Sequence, residues 1–270
     1  MAFIRTLSAH ARAAVSLSRK LFLLRLRPRG VQRSFSPDEA RELAEKLSGA
    51  FGDTVLADEI HAFAAEFRRI EAQMVGRIAG DVEDHALNYW MVLRSAGRQA
   101  EAPRAHAEIG VLFGGGLILA LHALRRVGSS DWVIGVDPLE GYYGRRRDPN
   151  THRRICRRTV VRNARRTGLF SDRLRLICRR SEDHAAIDEV GRFSLVSLWI
   201  DGDHSYAGVS RDWRNYSPLV EPGGYVLFDN YHDPSWPDTS RFVDGELRPN
   251  LCGWEVAVTL GRSILLRKLA

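Results

Sequence analysis

The apolar residues of the first hundred positions recur with the period of amphipathic helices. Between residues 54 and 78 they are three or four positions apart, which predicts one long helix. Its apolar stripe comprises Leu56, Ile60, Phe63, Phe67, Ile70, Met74 and Ile78. Before it, Ser36-Pro37-Asp38-Glu39 forms a capping box with proline in the first turn, so a helix should begin here and end near Leu47. A third helix is predicted over residues 82–96.

From about residue 105 the pattern changes to short apolar runs that alternate with helical segments. The predicted strands cover residues 107–113, 132–136, 174–178, 193–200 and 225–228, and a closing hairpin joins 254–260 to 263–266. Helices are predicted over residues 117–126, 150–167, 206–216 and 236–247. This alternation indicates a mostly parallel α/β sheet. We therefore predict a helical cap over residues 36–104 and an α/β domain over residues 105–270.

Positive charge is concentrated at the amino-terminal end. Residues 1–37 contain eight Arg or Lys and no acid, which leaves 32 basic and 33 acidic residues in the rest of the chain. A nearly neutral body disfavours nucleic acid as the partner of the whole protein. The tail of residues 1–35 has three open interpretations: an organellar transit peptide, an amphipathic helix on an anionic membrane, or a disordered basic tail. We favour the last two.

The cysteines and the lengths of the apolar runs bear on the compartment. Cys156, Cys178 and Cys252 form no metal or redox motif, and an odd, sparse count is typical of a reducing compartment. No uncharged apolar run reaches the roughly 18 residues of a membrane span. We predict a cytoplasmic protein, with peripheral membrane contact through its tail as one option and an organelle as the alternative.

Two acidic turns follow two neighbouring strands of the predicted sheet. Asp201-Gly202-Asp203-His204 comes directly after strand 193–200, and Asp229-Asn230 follows strand 225–228. Parallel neighbours end at the same edge of a sheet, which is where open α/β sheets bind ligands. Asp201 and Asp229 are therefore expected to lie side by side, although 28 positions separate them.

A glycine-rich turn follows the first predicted strand. The segment from Glu108 to Gly116 leads into a helix, and its glycines would let a ligand approach the backbone. The turn lacks the G-x-G-x-x-G spacing of dinucleotide sites. Asp137 ends the second strand, where a carboxylate can accept both hydroxyl groups of a ribose. The alternative is a tight turn beside a solvated aspartate.

These segments together resemble class I S-adenosylmethionine-dependent methyltransferases. Four features match in order and spacing over residues 105–266: the E-I-G-x-x-x-G-G turn, the acidic end of the second strand, IDGDHSY and PGGYVLFDNY. The likeness is closest to small-molecule O-methyltransferases of the macrolide-sugar and catechol types. It implies a Rossmann-like, doubly wound sheet of seven strands, mostly parallel, with a carboxyl-terminal antiparallel hairpin and a helical extension at the amino-terminal end.

The resemblance implies S-adenosylmethionine as the cofactor and assigns residues to it. Those residues, from the methionine end to the adenine end, are Glu108, Gly110, Gly114, Asp137, Ser181 and Glu182, with Asp201 beside them. Asp137 would hold the ribose. Near the adenine the chain departs from the common pattern, because Arg179-Arg180-Ser181 stands where Gly-Asp-Ser is often found.

In the metal-dependent branches of the family the two acidic turns bind a divalent cation. The corresponding ligands here would be Asp201, Asp229 and Asn230, whose oxygen atoms suit Mg²⁺ rather than zinc. The alternative is that Asp201 touches only cofactor or substrate, while Asp229 and Asn230 cap the following segment.

Methyl transfer to oxygen also requires removal of one proton. Asp203 and His204 would lie beside the reacting atoms, and His204 is the first choice as general base because it titrates near neutral pH. His232 is a weaker candidate. A histidine in a turn is as readily structural.

The acceptor implied by the resemblance is a small molecule or a sugar. Residues 145–166 contain ten Arg and one Asp, which favours a solvated helix face over recognition of an acidic acceptor. Tyr142 and Tyr143 could stack on an acceptor or serve packing. The long helix of residues 54–78 is interpreted as a cap that packs on the α/β domain, in preference to a dimer contact. A homodimer remains the alternative.

Two other classes of function compete with this interpretation. A nicotinamide-dependent oxidoreductase would share the sheet, but the missing glycine motif and the terminal hairpin disfavour it. A non-catalytic binding protein would keep the fold and the cofactor. The intact Asp201, Asp203, His204 and Asp229 argue against it.

Overall fold

The computed structural model describes residues 34–97 and 103–269. The basic segment of residues 1–33, with its predicted membrane or targeting role, lies outside the described residues. Within the part described, no helix is both long and apolar enough to cross a membrane.

Three helices precede the sheet: α1 Pro37–Phe51, α2 Ala57–Gln73 and α3 Val82–Ser95. The predicted capping box of α1 is confirmed, since Ser36 Oγ accepts from the Glu39 backbone N–H at 3.3 Å and Glu39 Oε2 accepts from the Ser36 N–H at 2.7 Å. Helix α1 runs one turn further than predicted and ends at Gly52, whose φ is +71°.

Helix α2 is shorter than its apolar period suggests. Leu56 lies before the helix and is 59% exposed, whereas Met74 and Ile78 lie after it and are buried. Between these ends the stripe is buried within the chain, at Ile60, Phe63, Phe67 and Ile70. Other parts of the same chain therefore bury the stripe, and its burial does not require a second protein molecule.

The body is a sheet of seven strands in the order β3-β2-β1-β4-β5-β7-β6. Its strands are β1 Arg104–Ile109, β2 Trp132–Val136, β3 Leu174–Ile177, β4 Ser194–Ile200, β5 Val220–Phe228, β6 Trp254–Leu260 and β7 Ser263–Lys268. Pairing is parallel from β3 to β5 and antiparallel at β7 and β6. The predicted fold class is confirmed.

The helices between the strands cover both faces of the sheet. They are α4 Gly115–Arg126, α5 Arg157–Arg166, α6 His184–Val190, α7 Tyr206–Tyr216 and α8 Pro237–Phe242, the last continued by a π turn Val243–Leu247 and a 3₁₀ turn Arg248–Asn250. Helices α1 to α5 contribute to one core, and α6 to α8 contribute to the other. The amino-terminal helices thus share a hydrophobic core with the sheet.

Three element bounds differ from the sequence prediction for local reasons. Strand β1 ends at Ile109 because Gly110 turns the chain at a φ of +90°. Helix α5 begins only at Arg157 because residues 148–152 form a turn around the buried Asp148. Strand β5 begins at Val220, and a register shift against β4 accommodates the predicted turn of residues 221–224.

From β1 the chain first builds the sheet outward in one direction, through β2 and β3, and then in the other, through β4 and β5. Such a switch point in an open α/β sheet forms a crevice at the carboxyl ends of the strands. The glycine-rich turn follows β1, and the two acidic turns follow β4 and β5. The fold therefore brings the predicted site segments to one edge.

Candidate active site

Carboxylates of the two acidic turns meet at the carboxyl edge, as their positions in the sequence predict. Ligand atoms of Asp201, His204 and Asp229 all lie within 4.8 Å of one another. The turns are held by the sheet, since the Asp201 N–H donates to the Ile109 carbonyl at 2.9 Å and the Asp229 N–H donates to that of Ile200 at 3.1 Å. The cluster offers two carboxylates and one imidazole.

Acidic groups are concentrated at this edge, and their surroundings favour the neutral, protonated form of each. Burial raises the pKa of Asp201 well above its usual value, and Asp229 and Glu108 raise it further. Burial, followed by the nearby Asp84, raises the pKa of Asp229 to about 7. Glu108 is 6% exposed, and its pKa is raised by burial and by Asp137 and Asp229. A bound cation would relieve this repulsion and favour the ionised carboxylates.

Asn230, the third predicted metal ligand, lies against the same cluster. Its φ is +59°, and its amide N–H donors face Asp229 Oδ2 and, at 3.4 Å, His204 Nε2. To present an oxygen to a cation, this amide would have to rotate by half a turn. His204 is not among the predicted ligands, yet its Nε2 is 3.5 Å from Asp201 Oδ1.

The three predicted bases have different environments in the structure. The His204 ring is buried at 7% exposure and packs against Trp236 with ring centroids 4.8 Å apart. Asp203 is exposed and its two oxygens accept from the Ser205 N–H at 3.0 Å and its hydroxyl at 2.9 Å, at the start of α7. His232 is 59% exposed, and its Nε2 lies 3.4 Å from Asp244. Of these three side chains, His204 is the one that contacts the acidic cluster.

Two aromatic side chains, Tyr143 and Trp236, lie beside His204. Tyr143 stacks on Trp236 with ring centroids 5.4 Å apart, and its hydroxyl donates to the Gly202 carbonyl at 3.5 Å. Burial, Tyr142, Asp203 and Asp201 all raise the Tyr143 pKa, so its phenol stays protonated. Trp236 lies outside every motif of the sequence and reaches the site only through the fold.

Glycines of the turn after β1 are required by packing within the protein. A Cβ on Gly110 would lie 2.8 Å from the Gly202 Cα and closer still to the Asp201 carbonyl. A Cβ on Gly114 would lie 2.7 Å from Val160 Cγ1. The turn is therefore pressed against the loop that carries Asp201, a requirement that the sequence pattern alone does not reveal.

Asp137 braces this turn. Its Oδ2 accepts from the backbone N–H groups of Val111 at 2.8 Å and Leu112 at 3.4 Å, and its Oδ1 accepts from that of Leu139 at 2.6 Å. A carboxylate has about four acceptor positions, so capacity remains for one further donor. Burial raises the Asp137 pKa, and the three backbone donors oppose that rise.

The predicted adenine segment is fixed by α7. Tyr216 donates its hydroxyl to the Ser181 carbonyl at 2.8 Å, and the Ser181 side chain opposes the rise in the pKa of Asp212 on the same helix. The Glu182 carboxylate lies 3.5 Å from Arg180. Asp212 is 2% exposed and its Oδ2 has no partner. Sequence analysis missed Asp212 because it sits inside a helix, away from any motif.

Replacing Asp212 with asparagine should flatten the dependence of stability on pH. Burial raises its pKa to about 7, so between about pH 4 and 7 the folded state holds a proton that the unfolded state has lost. Unfolding free energy therefore falls as pH rises through this window, by roughly 2–4 kcal/mol from this group. Urea unfolding at pH 5 and pH 8 measures the slope.

The exposed Asp188 on α6 provides the matched control, and its asparagine variant should keep the wild-type slope. An Asp212→Asn protein with that same slope would show that the Asp212 carboxyl is not protonated near neutral pH.

Support for the carboxyl edge comes from the hairpin turn between β6 and β7. Arg262 donates from Nη1 to Asp233 at 2.8 Å and from Nη2 to Asp81 at 2.8 Å, and it lies 4.0 Å from Asp84. These contacts tie the hairpin, the start of α3 and the loop after β5 together. The positive charge of Arg262 also lowers the pKa of Asp229.

The sheet order and the acidic switch-point edge have the arrangement of class I S-adenosylmethionine-dependent methyltransferase domains. A family model described as "Methyltransferase domain" matches residues 107–231. Among solved structures, the O-methyltransferase NovP is similar with a TM-score of 0.58 and 21% identity over 85% of this chain and 98% of that one. This likeness shows the fold.

Two further proteins are similar to this chain. CalS11, a TDP-rhamnose 3'-O-methyltransferase, has a TM-score of 0.48 and 17% identity over 86% of this chain and 95% of that one. An uncharacterized protein of Acanthamoeba polyphaga mimivirus is 29% identical over 137 residues, which is 48% of this chain and 53% of that protein. The chain thus spans about half the length of this curated relative.

Proposed function

We propose that this protein transfers the methyl group of S-adenosylmethionine to a hydroxyl oxygen of a small molecule or sugar, assisted by a divalent cation. One observation carries the proposal: four carboxyl groups, of Glu108, Asp137, Asp201 and Asp229, gather at the carboxyl edge of the sheet. Burial raises the pKa of all four, and repulsion from neighbouring carboxylates raises those of Glu108, Asp201 and Asp229 further. Such a site suits positively charged ligands.

The residues present fit this cofactor. Bound S-adenosylmethionine would supply an electrophilic methyl group together with the positive charges of its sulfonium and amino groups. Glu108 faces the edge from β1 and would bind the charged methionine part, beside the turn at Gly110 and Gly114. Asp137 would accept a ribose hydroxyl with its remaining acceptor position. Ser181, held by α7, would lie near the adenine.

The donor set also fits a hard divalent cation. Asp201 and Asp229 would supply carboxylate oxygens, and the Asn230 amide, once rotated, would add a third oxygen, so that His204 need not serve as a ligand. Bound Mg²⁺ would supply charge that lowers the pKa of the acceptor hydroxyl. His204 would then take the proton, because its ring is buried beside the cluster. The Asp203 carboxylate instead accepts a hydrogen bond from the Ser205 N–H at the start of α7. Tyr143 and Trp236 would exclude water and orient the acceptor.

Chelation tests the metal part of this proposal. Methyl transfer from methyl-labelled S-adenosylmethionine to a panel of sugars and phenols should fall in EDTA and return with Mg²⁺ or Mn²⁺. Zn²⁺ should restore less, since the oxygen-rich set does not favour it. Undiminished transfer in EDTA would remove the cation and leave methyl transfer with His204 as the base.

The proposal also covers localisation and oligomeric state. A cytoplasmic protein is favoured by the sparse cysteines, all of them free, with peripheral membrane contact through the basic tail. A monomer that buries its own α2 stripe is favoured over a homodimer built on that stripe.

A further inference from the structure

Ten arginines between β2 and the end of α5 form one exposed surface, here called the arginine surface. Its members are Arg145, Arg146, Arg147, Arg153, Arg154, Arg157, Arg158, Arg162, Arg165 and Arg166. Every one is exposed. Over residues 34–97 and 103–269, none of the ten lies within 4.0 Å of a carboxylate oxygen. The surface is therefore strongly positive on a body that is close to neutral.

The single acid of residues 145–166 is used inside the protein. Asp148 is fully buried and accepts from Arg77 at 3.1 Å and from the Thr151 N–H and hydroxyl at 2.8 Å. Its charge is thus balanced by Arg77, which lies outside the segment. The same contacts anchor the loop, so the arginines project from a fixed backbone.

The loop and helix gather these side chains into a continuous surface. A bridge between Arg147 and Arg154 folds the loop back on itself. Along α5, Arg158, Arg162 and Arg166 recur every four residues and form one stripe. Grooves of ≈ 760 Å³ and ≈ 580 Å³ flank it, and Arg162 and Arg166 line both. Extended anions could lie along such grooves.

The arginine surface begins at the active edge. Arg145 is paired with Tyr142 through two backbone hydrogen bonds of 2.6 and 3.0 Å. The residue after Tyr142, Tyr143, stacks on Trp236 and reaches Gly202 beside Asp201. A ligand chain could therefore contact the arginines while one of its hydroxyl groups lies at the Asp201 cluster.

We propose that the arginine surface binds an acidic glycan, a sugar chain that carries carboxylate or phosphate groups, and that this chain is the methyl acceptor. The inference rests on the proposed function. Guanidinium groups bind carboxylate and phosphate in bidentate geometry, and the segment uses arginine to the exclusion of lysine. At the active edge the half-buried Tyr143, which stacks on the buried Trp236, borders this surface.

Other polyanions fit this surface less well. Binding of single-stranded nucleic acid relies on exposed aromatic side chains among the basic ones. Beside α5 the exposed aromatic ring is Phe170, and the Arg165 guanidinium lies over it at 4.9 Å. An amphipathic helix on a membrane presents several large apolar side chains between its basic ones, whereas in α5 Val160 and Ala164 face the core and the half-buried Val161 is the one apolar side chain beside the arginines.

Binding of a fluorescein-labelled oligogalacturonate, followed by anisotropy, tests the proposal. Wild-type protein should bind it, bind an equally labelled neutral maltooligosaccharide at least about tenfold more weakly, and lose affinity as salt is raised. The triple variant Arg158→Glu, Arg162→Glu, Arg166→Glu should lose at least about tenfold in affinity. The control triple Arg41→Glu, Arg192→Glu, Arg214→Glu has the same charge change at exposed positions elsewhere and should bind as wild type.

S-adenosylhomocysteine affinity of both triple variants separates this inference from the proposed function. It should equal that of wild type, because neither set touches the acidic cluster. Oligogalacturonate binding without S-adenosylhomocysteine binding would overturn the proposed function and the acceptor role, and would leave the arginine surface as a glycan-binding surface. Equal oligogalacturonate affinity of the two triple variants would overturn the glycan surface, as would tighter binding of oligouridylate or of phosphatidylserine vesicles.

Discussion

Replacing Asp201 with asparagine should reduce methyl transfer by about 10²- to 10³-fold while the protein stays folded. Asp201 contributes a carboxylate to the cluster with His204 and Asp229, and asparagine removes the charge that would hold a cation there. The substitution also relieves repulsion at a group whose pKa burial and Asp229 raise. Melting temperature at neutral pH should therefore be unchanged or higher.

Two measurements separate the effect of Asp201 from general damage. Calorimetric titration with Mn²⁺ should show binding to wild type and loss of binding to Asp201→Asn, while S-adenosylhomocysteine affinity changes little. Asp203→Asn is the matched control in the same turn, because that carboxylate is exposed and occupied by Ser205. Equal Mn²⁺ affinity in Asp201→Asn and wild type would contradict a cation at this cluster.

Replacing Gly110 with alanine should cost both stability and cofactor binding. Its φ of +90° is strained for any other residue, and the added Cβ would lie 2.8 Å from the Gly202 Cα in the loop that carries Asp201. Strain alone costs about 1–2 kcal/mol, and displacement of the backbone adds to it. We expect a loss of about 3 kcal/mol or more in unfolding free energy and at least about tenfold weaker S-adenosylhomocysteine binding.

Gly128→Ala isolates the contribution of backbone strain. Gly128 has a φ of +65°, but no atom lies within 4 Å of the position that an added Cβ would take. Urea unfolding should show a loss of about 1 kcal/mol for this variant, with normal cofactor binding. If Gly110→Ala and Gly128→Ala lose the same unfolding free energy, the contact between the glycine turn and the Asp201 loop does not contribute to stability.

The sequence predicts the order and type of the elements because each of them carries a local signal. The capping box at Ser36 and the apolar strand Trp132–Val136 both lie at their predicted positions. Ends of elements are predicted less well because apolar spacing reports burial rather than backbone geometry. Met74 and Ile78 continue the period of α2 after the helix has ended, since the loop that carries them is buried too.

Proximity of Asp201 and Asp229 follows from the rule that parallel strands end at one edge, so the sequence suffices to predict it. The sequence favours His204 over Asp203 as the base only because histidine titrates near neutral pH. Both lie in one turn, and the fold is needed to show that the His204 ring, and not Asp203, contacts the cluster. Trp236 and Asp212 come from segments without a motif. Their roles depend on long-range packing, which no local pattern records.

The central claim is that the acidic edge binds S-adenosylmethionine for methyl transfer, and calorimetric titration with its product tests it most directly. S-adenosylhomocysteine should bind wild-type protein at a ratio of one to one with a dissociation constant in the micromolar range, and NAD⁺ should give no heat of binding. Asp137→Ala should weaken the binding strongly, since it removes both the brace of the glycine turn and a ribose acceptor. Folded wild-type protein that binds NAD⁺ and not S-adenosylhomocysteine would contradict the account.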